Sequence, residues 1–280
     1  MKQKKIFPHL ILLGVVLAIL LIAVIVWLWP LARDRFLTRP DRTWQTMQRT
    51  GVWRVALDPS FPPFEMLDAQ GKPVGFDVEL AQALAAQWGL RVEIVALAYD
   101  SLLDALQAGQ ADSVISALPY DERMTQNVAY SPAYFEAGIR LVTRPGSPIH
   151  SVADLAGHTL AVEWGSVGDT LARRLQREQP TLQLAQFETP DAAIHALVNG
   201  DQESDNPVDA LLIDNVTLRQ SQGAGSALVA VGPALEANPY VIAAPLRAHD
   251  LQIQIAAALG QLQANGQLVA LEEKWFGPVK

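Results

Sequence analysis

The 280-residue chain contains no cysteine. That excludes a disulfide framework, a cysteine nucleophile, zinc–thiolate and iron–sulfur centres, and a lipid-modified N-terminal cysteine. It leaves the redox compartment open, because a chain without thiols folds in either. Histidine is scarce as well: His9, His150, His158, His195 and His249 are scattered without metal-ligand spacing. No G-x-S-x-G elbow and no P-loop occurs. Metal, thiol and serine-nucleophile chemistry therefore have no support, and no cofactor is expected. What the chain does have is apolar material. Hydrophobic residues make up 50% of it, which allows a sizeable core and rules out wholesale disorder.

Charge is unevenly spread. Residues 1–42 hold seven Lys/Arg against Asp34 and Asp41, a balance of +5. The rest holds 14 Lys/Arg against 27 Asp/Glu, a balance of −13. A body that acidic repels phosphate backbones, so nucleic acid is not an expected partner.

Leu10 to Trp29 is an uncharged run, LILLGVVLAILLIAVIVWLW. A helix over it would span about 30 Å of hydrocarbon at about 1.5 Å per residue. Trp27 and Trp29 stand where an interfacial aromatic belt would lie. A cleaved secretory signal has a shorter apolar region and a small-residue cleavage site. The run here is long and ends in Trp-Leu-Trp-Pro-Leu-Ala-Arg, so an uncleaved anchor over residues 1–30 is the expectation. Lys2, Lys4 and Lys5 precede it and Arg33, Arg35, Arg39 and Arg42 follow, which leaves orientation undecided by charge alone. Residues 31–50 are polar, contain Pro40, and read as a linker.

From Val52 short apolar runs alternate with amphipathic ones. Strands are expected over 52–57, 91–96 and 111–118, with helices from Asp77, as cap, to Gly89 and from Asp100 to Gly109. Glu65 to Gly75 reads as a hairpin around Asp68-Ala69-Gln70-Gly71. A second cycle follows Pro145-Gly146-Ser147-Pro148. It has strands 159–163, 182–187 and 210–213, helices 169–178 and 189–199, and the Gly-rich turn Gly165-Ser166-Val167-Gly168. A strand over 240–244 and helices over 251–265 and 268–275 close the chain. This rhythm predicts an α/β layer architecture with parallel pairing, in two similar halves.

Several segments, taken in order, carry a family likeness. They are Arg54-Val55-Ala56-Leu57-Asp58-Pro59-Ser60-Phe61-Pro62-Pro63-Phe64-Glu65, Gly75-Phe76-Asp77-Val78-Glu79-Leu80-Ala81 and Asp100 to Gly109. Asp112 to Ser116, Tyr130-Ser131-Pro132-Ala133-Tyr134-Phe135 and the closing Lys274-Trp275-Phe276-Gly277 continue it. The ordered set resembles the family 3 extracellular solute-binding proteins, the amino-acid receptors of ABC transporters, over nearly all of residues 51–278.

The resemblance implies a two-lobed type II periplasmic-binding-protein fold that closes on a ligand about two hinge strands. Lobe 1 would comprise 51–138 plus 239–280 and lobe 2 139–238, with crossings near 137–141 and 237–241. The implied function is capture of an amino acid or similar small polar solute for an ABC permease. The implied place is the outer face of the cytoplasmic membrane, or the periplasm or cell exterior if the signal is cleaved. The fold also hosts enzymes, such as a dehydratase of an amino-acid precursor, and sensor domains. Such an enzyme would need a general acid, for which Glu163 is a loose candidate.

An amino acid is a zwitterion, so its receptor needs an anion site and a cation site close together. Ligands of α/β sheets bind beyond the carboxyl ends of strands. Asp58 follows the first strand, where the resemblance turns it towards the ligand side chain with Phe61 stacked beside it. By itself, Asp58 before Pro59 is an Asx-turn residue. Tyr99 would be an aromatic wall, or a packing aromatic. The loop Ser116-Ala117-Leu118-Pro119-Tyr120-Asp121-Glu122-Arg123 matches the family's carboxylate-binding segment, which assigns Ser116, Leu118 and Arg123 to the ligand. Two departures stand out: Met124 occupies the usual arginine position, and Pro119 replaces a hydroxyl residue with a donating N–H. Arg123 serves if the helix start shifts by one residue; otherwise the ligand is not an ordinary amino acid. Ser166 and Val167 would offer helix N-terminal N–H groups to a carboxylate, or Ser166 would simply cap the helix. Asp214 would bind the ammonium, or cap the helix after it. Asp58, Asp214 and Glu163 together would bias the pocket towards cationic or polar ligands.

Overall fold

The computed structural model describes Ile22, residues 41–199 and residues 207–277. Ile22 apart, the expected anchor Leu10–Trp29 lies outside the described residues. Among the described residues no helix is long and apolar enough to cross a membrane. The chain divides at Arg42, and Thr43–Lys280 forms a unit of its own.

That unit opens with helix α1 (Thr43–Thr50), inside the stretch expected as a linker. Trp44 and Met47, one helical turn apart, both face inward. Met47 is buried, and the Trp44 ring meets Trp88 edge-on at 5.4 Å. Then come β1 (Val52–Leu57), β2 (Ser60–Phe61), β3 (Glu65–Leu67), β4 (Pro73–Val74) and α2 (Phe76–Trp88). These are followed by β5 (Arg91–Ala96), α3 (Leu102–Gln107), β6 (Ser113–Val114), β7 (Val128–Tyr130), β8 (Phe135–Glu136) and β9 (Ile139–Thr143). The second cycle runs β10 (Thr159–Glu163), α4 (Val167–Glu178), β11 (Gln183–Phe187), α5 (Pro190–Asn199), β12 (Ala210–Asp214), α6 (Asn215–Gly223) and β13 (Val229–Glu236). Strands β14 (Pro239–Tyr240) and β15 (Ala243–Pro245) and helices α7 (His249–Ala264) and α8 (Gln267–Phe276) complete it.

Two five-stranded sheets result, ordered β5-β1-β6-β15-β7 and β11-β10-β12-β9-β13. In each, the first strand of a βαβ cycle stands second and pairs parallel with both neighbours, and the pairings beyond the third strand are antiparallel. This is the expected α/β fold with two similar halves. The expected hairpin is β3–β4, its turn tied by Asp68 Oδ1 accepting from the N–H groups of Gln70 and Lys72.

Two local expectations are corrected. The strand expected over 111–118 is cut to Ser113–Val114, because the backbone turns at Ala117, whose φ is +40°. Asp77 does not cap its helix. Helix α2 starts at Phe76, and Asp77 lies on its buried face with Leu80, Ala81 and Leu84. There its Oδ2 accepts from Ala117 N–H at 2.6 Å and from the Tyr134 hydroxyl at 3.0 Å. The Ala117 bond holds a backbone conformation that costs an L-residue about 1–2 kcal/mol.

The chain passes between the sheets after β8 and returns before β14, and these two strands pair antiparallel. Glu136 Oε1 accepts from the N–H groups of Gly138 at 2.8 Å and Asn238 at 2.7 Å, clamping both crossings. A Cβ on Gly138 would stand 2.0 Å from the Glu236 carbonyl oxygen, so the close approach requires glycine.

Beneath the first sheet's carboxyl edge lies an aromatic cluster. Phe64, fully buried, meets Phe76, Phe135, Tyr240 and Phe276 at centroid separations of 5.8, 5.1, 5.3 and 5.1 Å. Each such pair contributes about 0.5–1.5 kcal/mol beyond area burial. The second half packs Leu141, Leu160 and Val162 against Leu171 and Leu175 of α4.

Candidate functional site

Two cavities open at the carboxyl ends of the two sheets, the positions where α/β sheets bind ligands. The first, about 330 Å³, is lined by Asp58, Ser60, Phe61 and Tyr99, by Glu65, Ser116 and Tyr240, and by Ala117 and Pro119. The second, about 220 Å³, is lined by Glu163, Ser166, Val167, Gly168, Ile139 and Asp214, among others.

The first cavity is held by a continuous hydrogen-bonded chain. Tyr99 N–H donates to Asp58 Oδ2 at 2.9 Å. Asp58 N–H donates to Ser116 Oγ at 3.0 Å, and that hydroxyl donates to Glu65 Oε1 at 2.8 Å. Asp58 is thus both the first residue past β1 and the anchor of the Tyr99 turn. Phe61 stacks on Phe64 at 5.6 Å and stays 43% exposed, its outer face towards the cavity it lines.

Glu65 meets Asp77 carboxyl to carboxyl, and both groups are almost fully buried. Glu65 Oε2 and Asp77 Oδ1 have no other partner. A proton between them satisfies both, because two ionised carboxyls in contact repel. Burial, and then the charge of Asp77, pushes Glu65 up to about 11. Burial raises Asp77 to about 6, against the lowering effect of its donors.

In the second cavity Ser166 caps α4, its Oγ accepting from Asp169 N–H at 3.0 Å. The Asp169 carboxylate reaches back past the cap and accepts from Gly165 N–H at 3.1 Å. Asp214 ends β12 and caps α6: its Oδ1 accepts from Thr217 N–H at 2.9 Å and its Oδ2 from the Thr217 hydroxyl at 2.7 Å. Capping leaves lone pairs on both oxygens. Burial, then the charge of Asp214, raises the Tyr240 phenol. The acid of the second cavity is thus electrostatically coupled to a wall of the first.

Of the residues expected at a site, the structure brings Asp58, Phe61, Tyr99 and Ser116 to the first cavity and Ser166, Val167 and Asp214 to the second, with Glu163 beside them. It does not bring Leu118, which is buried, or Arg123. The Arg123 side chain is 89% exposed and turned onto Asp121, Nη2 to Oδ2 at 2.8 Å. Glu65 and Tyr240 line the first cavity without a site role having been read for them. Glu65 had one signal: an acid at the start of a hairpin strand directly after the core residue Phe64. Among the described residues no cluster of His, Asp and Glu could hold a metal ion.

The sequence profile of the bacterial extracellular solute-binding proteins, family 3, matches residues 53–278. The lysine/arginine/ornithine-binding periplasmic protein of Escherichia coli (strain K12) is 28% identical over 232 residues, 80% of this chain and 86% of that protein. The arginine-binding extracellular protein ArtP of Bacillus subtilis (strain 168) is 30% identical over 221 residues, 77% and 82% of the two chains. In fold, the chain is similar to the L-cystine solute receptor of Neisseria gonorrhoeae in its unliganded open conformation, with a TM-score of 0.71 at 23% identity, covering 84% and 97%. The fold is that of the type II periplasmic-binding proteins, and the chain belongs to the family 3 bacterial extracellular solute-binding proteins.

Proposed function

We propose that this family member captures an amino acid or similar small polar solute between its two halves and hands it to an ABC permease. The lobes are taken as 51–138 plus 239–280 and 139–238, hinged at the β8–β14 crossing. The observation that carries the reading is the pairing of Asp58 and Asp214. Each stands at the carboxyl end of a strand, each lines a cavity, and the two cavities belong to different sheets. Closure would bring an acid from each half onto one amino-bearing ligand. The two sequence relatives named above are lysine/arginine/ornithine- and arginine-binding proteins, which accords with acids in both cavities. We place the chain outside the cytoplasmic membrane, held by its N-terminal apolar run or released if that run is cleaved.

One observation favours an enzyme as the second reading: Glu65, a carboxyl that holds its proton, lines a cavity, and general acids need that property. Its proton is already committed to Asp77, which favours the receptor.

Thermal-shift measurement on the purified full chain against the amino acids and small amines tests the reading. A ligand at 100 times its Kd adds about 2.7 kcal/mol of stability. The receptor reading fails if none of these solutes stabilises the chain and a precursor acid is turned over.

A further inference from the structure

Tyr240 stands where the chain re-enters the first half, and it lines the first cavity. Its ring is fixed: it meets Phe64 at 5.3 Å and stacks on Phe135 at 6.0 Å, and the residue is 7% exposed. Its backbone is fixed too. Tyr134 N–H donates to the Tyr240 carbonyl at 3.0 Å, and a β-bridge ties Tyr240 to Pro119. The hydroxyl, by contrast, has no hydrogen-bond partner among the described residues. A phenol at that depth normally has one.

Asp214 is pinned to the same crossing. The outgoing chain, residues 135–139, carries both residues. Tyr240 pairs with Phe135 and Pro239 with Glu136. Asp214 pairs with Ile139, while Asn215 donates its N–H to the Gly138 carbonyl at 3.0 Å and its Nδ2 to the Glu136 carbonyl at 2.7 Å. Helix α6, which Asp214 caps, then sends Val216 into the core that holds Tyr240, Phe64 and Phe135. After burial, Asp214 is the first of the groups that raise the phenol, ahead of Tyr99, Asp77 and Glu65.

The two groups are chemically complementary. The phenol keeps its proton and can donate it. Asp214 accepts two bonds from Thr217 and retains lone pairs on both oxygens. A phenol donating to a carboxylate makes a charge-assisted bond, roughly twice as strong as a neutral one. The structure records no bond between them, and the two residues line cavities of different halves. Closure that joins the cavities brings the acid of one to the hydroxyl of the other.

We infer that on closure the Tyr240 hydroxyl donates to the Asp214 carboxylate, which makes Tyr240 a positioning residue that aims this acid at the ligand's ammonium. This deepens the receptor reading and rests on it. The bond spans the two halves, so it belongs to the closed form and is broken when the ligand leaves.

Tyr240→Phe removes the hydroxyl and keeps the ring. Thermal melting and stopped-flow binding of the full chain, with arginine, lysine and ornithine as probes, test the inference. The ligand-free melting temperature and the association rate should match the wild type, while each probe that binds should dissociate about tenfold faster or more. The pH below which affinity is lost should stand higher in the variant, because a donated hydrogen bond favours the charged carboxylate. Glu163, Asp58 and the Glu65–Asp77 pair titrate in both proteins, so the difference between the two profiles carries the result. Dissociation within twofold of the wild type overturns the inference. A lower ligand-free melting temperature also overturns it, since the hydroxyl would then hold the fold. Faster dissociation with an unmoved pH profile would put the hydroxyl on the ligand and overturn the bond to Asp214. In each of these cases the receptor reading stands. If none of the three probes binds the wild type, the reading of two opposed acids on one amino-bearing ligand falls, and this inference with it.

Discussion

Glu65 and Asp77, on β3 and the first turn of α2, share one hydrogen bond between their carboxyl groups beneath the first cavity. The pair ties the hairpin to the helix. It also links stability to pH. Both groups have folded pKa values raised above those of the unfolded chain, about 4, so the folded state binds more protons than the unfolded one above that pH.

Their contribution is therefore fully present below about pH 4 and falls as pH rises, through about 6 for Asp77 and towards about 11 for Glu65. The substitution Glu65→Gln keeps an acceptor for Ser116 and a donor for Asp77 while removing the titration. Melting temperatures from pH 5 to pH 9 should show the variant gaining on the wild type as pH rises. A difference that stays flat with pH would mean the proton is not held between these two groups.

Asp214 has two duties that one pair of variants separates. Asp214→Asn keeps an oxygen for Thr217 N–H but removes the charge; Asp214→Ala removes both. We expect the alanine variant to lose about 1 kcal/mol of ligand-free stability through the lost cap. The asparagine variant should melt near the wild type yet lose the ligand-induced shift. An undiminished shift in the asparagine variant sinks the role of Asp214 in binding.

Arg123 lies in solvent, paired with Asp121. Arg123→Ala should leave both the melting temperature and the ligand affinity unchanged. Titration calorimetry on this variant checks the point directly. A large loss of affinity would show that the guanidinium is recruited on closure and that the ligand carries an anion.

Gly138 and Gly260 make opposite predictions from the same substitution. A methyl on Gly138 meets the Glu236 carbonyl at 2.0 Å, so Gly138→Ala should destabilise by about 1–3 kcal/mol. Gly260 lies within α7 with nothing within 4 Å of its added Cβ, so Gly260→Ala should stabilise by about 0.5–1 kcal/mol. Urea denaturation of the full chain measures both.

Much of the fold was legible in the sequence. The strands at 52–57 and 159–163 coincide with the apolar runs, because a largely buried strand needs no partner to declare it, and the edge strand 91–96 shows instead as an alternation of exposed and half-buried residues. The ends of β1 and β12 gave Asp58 and Asp214 for the same reason: an acid terminating an apolar strand has to stand at the sheet's edge. Helix α1 was hidden within the polar stretch 41–50, since its burial rests on Trp44 and Met47 alone. Asp77 looked like a cap because an acid at a helix start usually is one. Its actual partners, Ala117 and Tyr134, lie 40 and 57 residues away.

By itself, then, the sequence determined the acidic body, the alternation of strands and helices and the acids at strand ends, all consequences of local composition and period. Only the tertiary structure decided how the donors are spent. Whether Ser116, Ala117 and Arg123 are free for a ligand depends on Glu65, Asp77 and Asp121. Glu65 and Asp77 reach Ser116 and Ala117 only through long-range packing, and Asp121, although it lies two residues from Arg123, takes the guanidinium only in the folded loop. A hydrogen-bond donor can serve only so many acceptors, and the fold chooses which it serves.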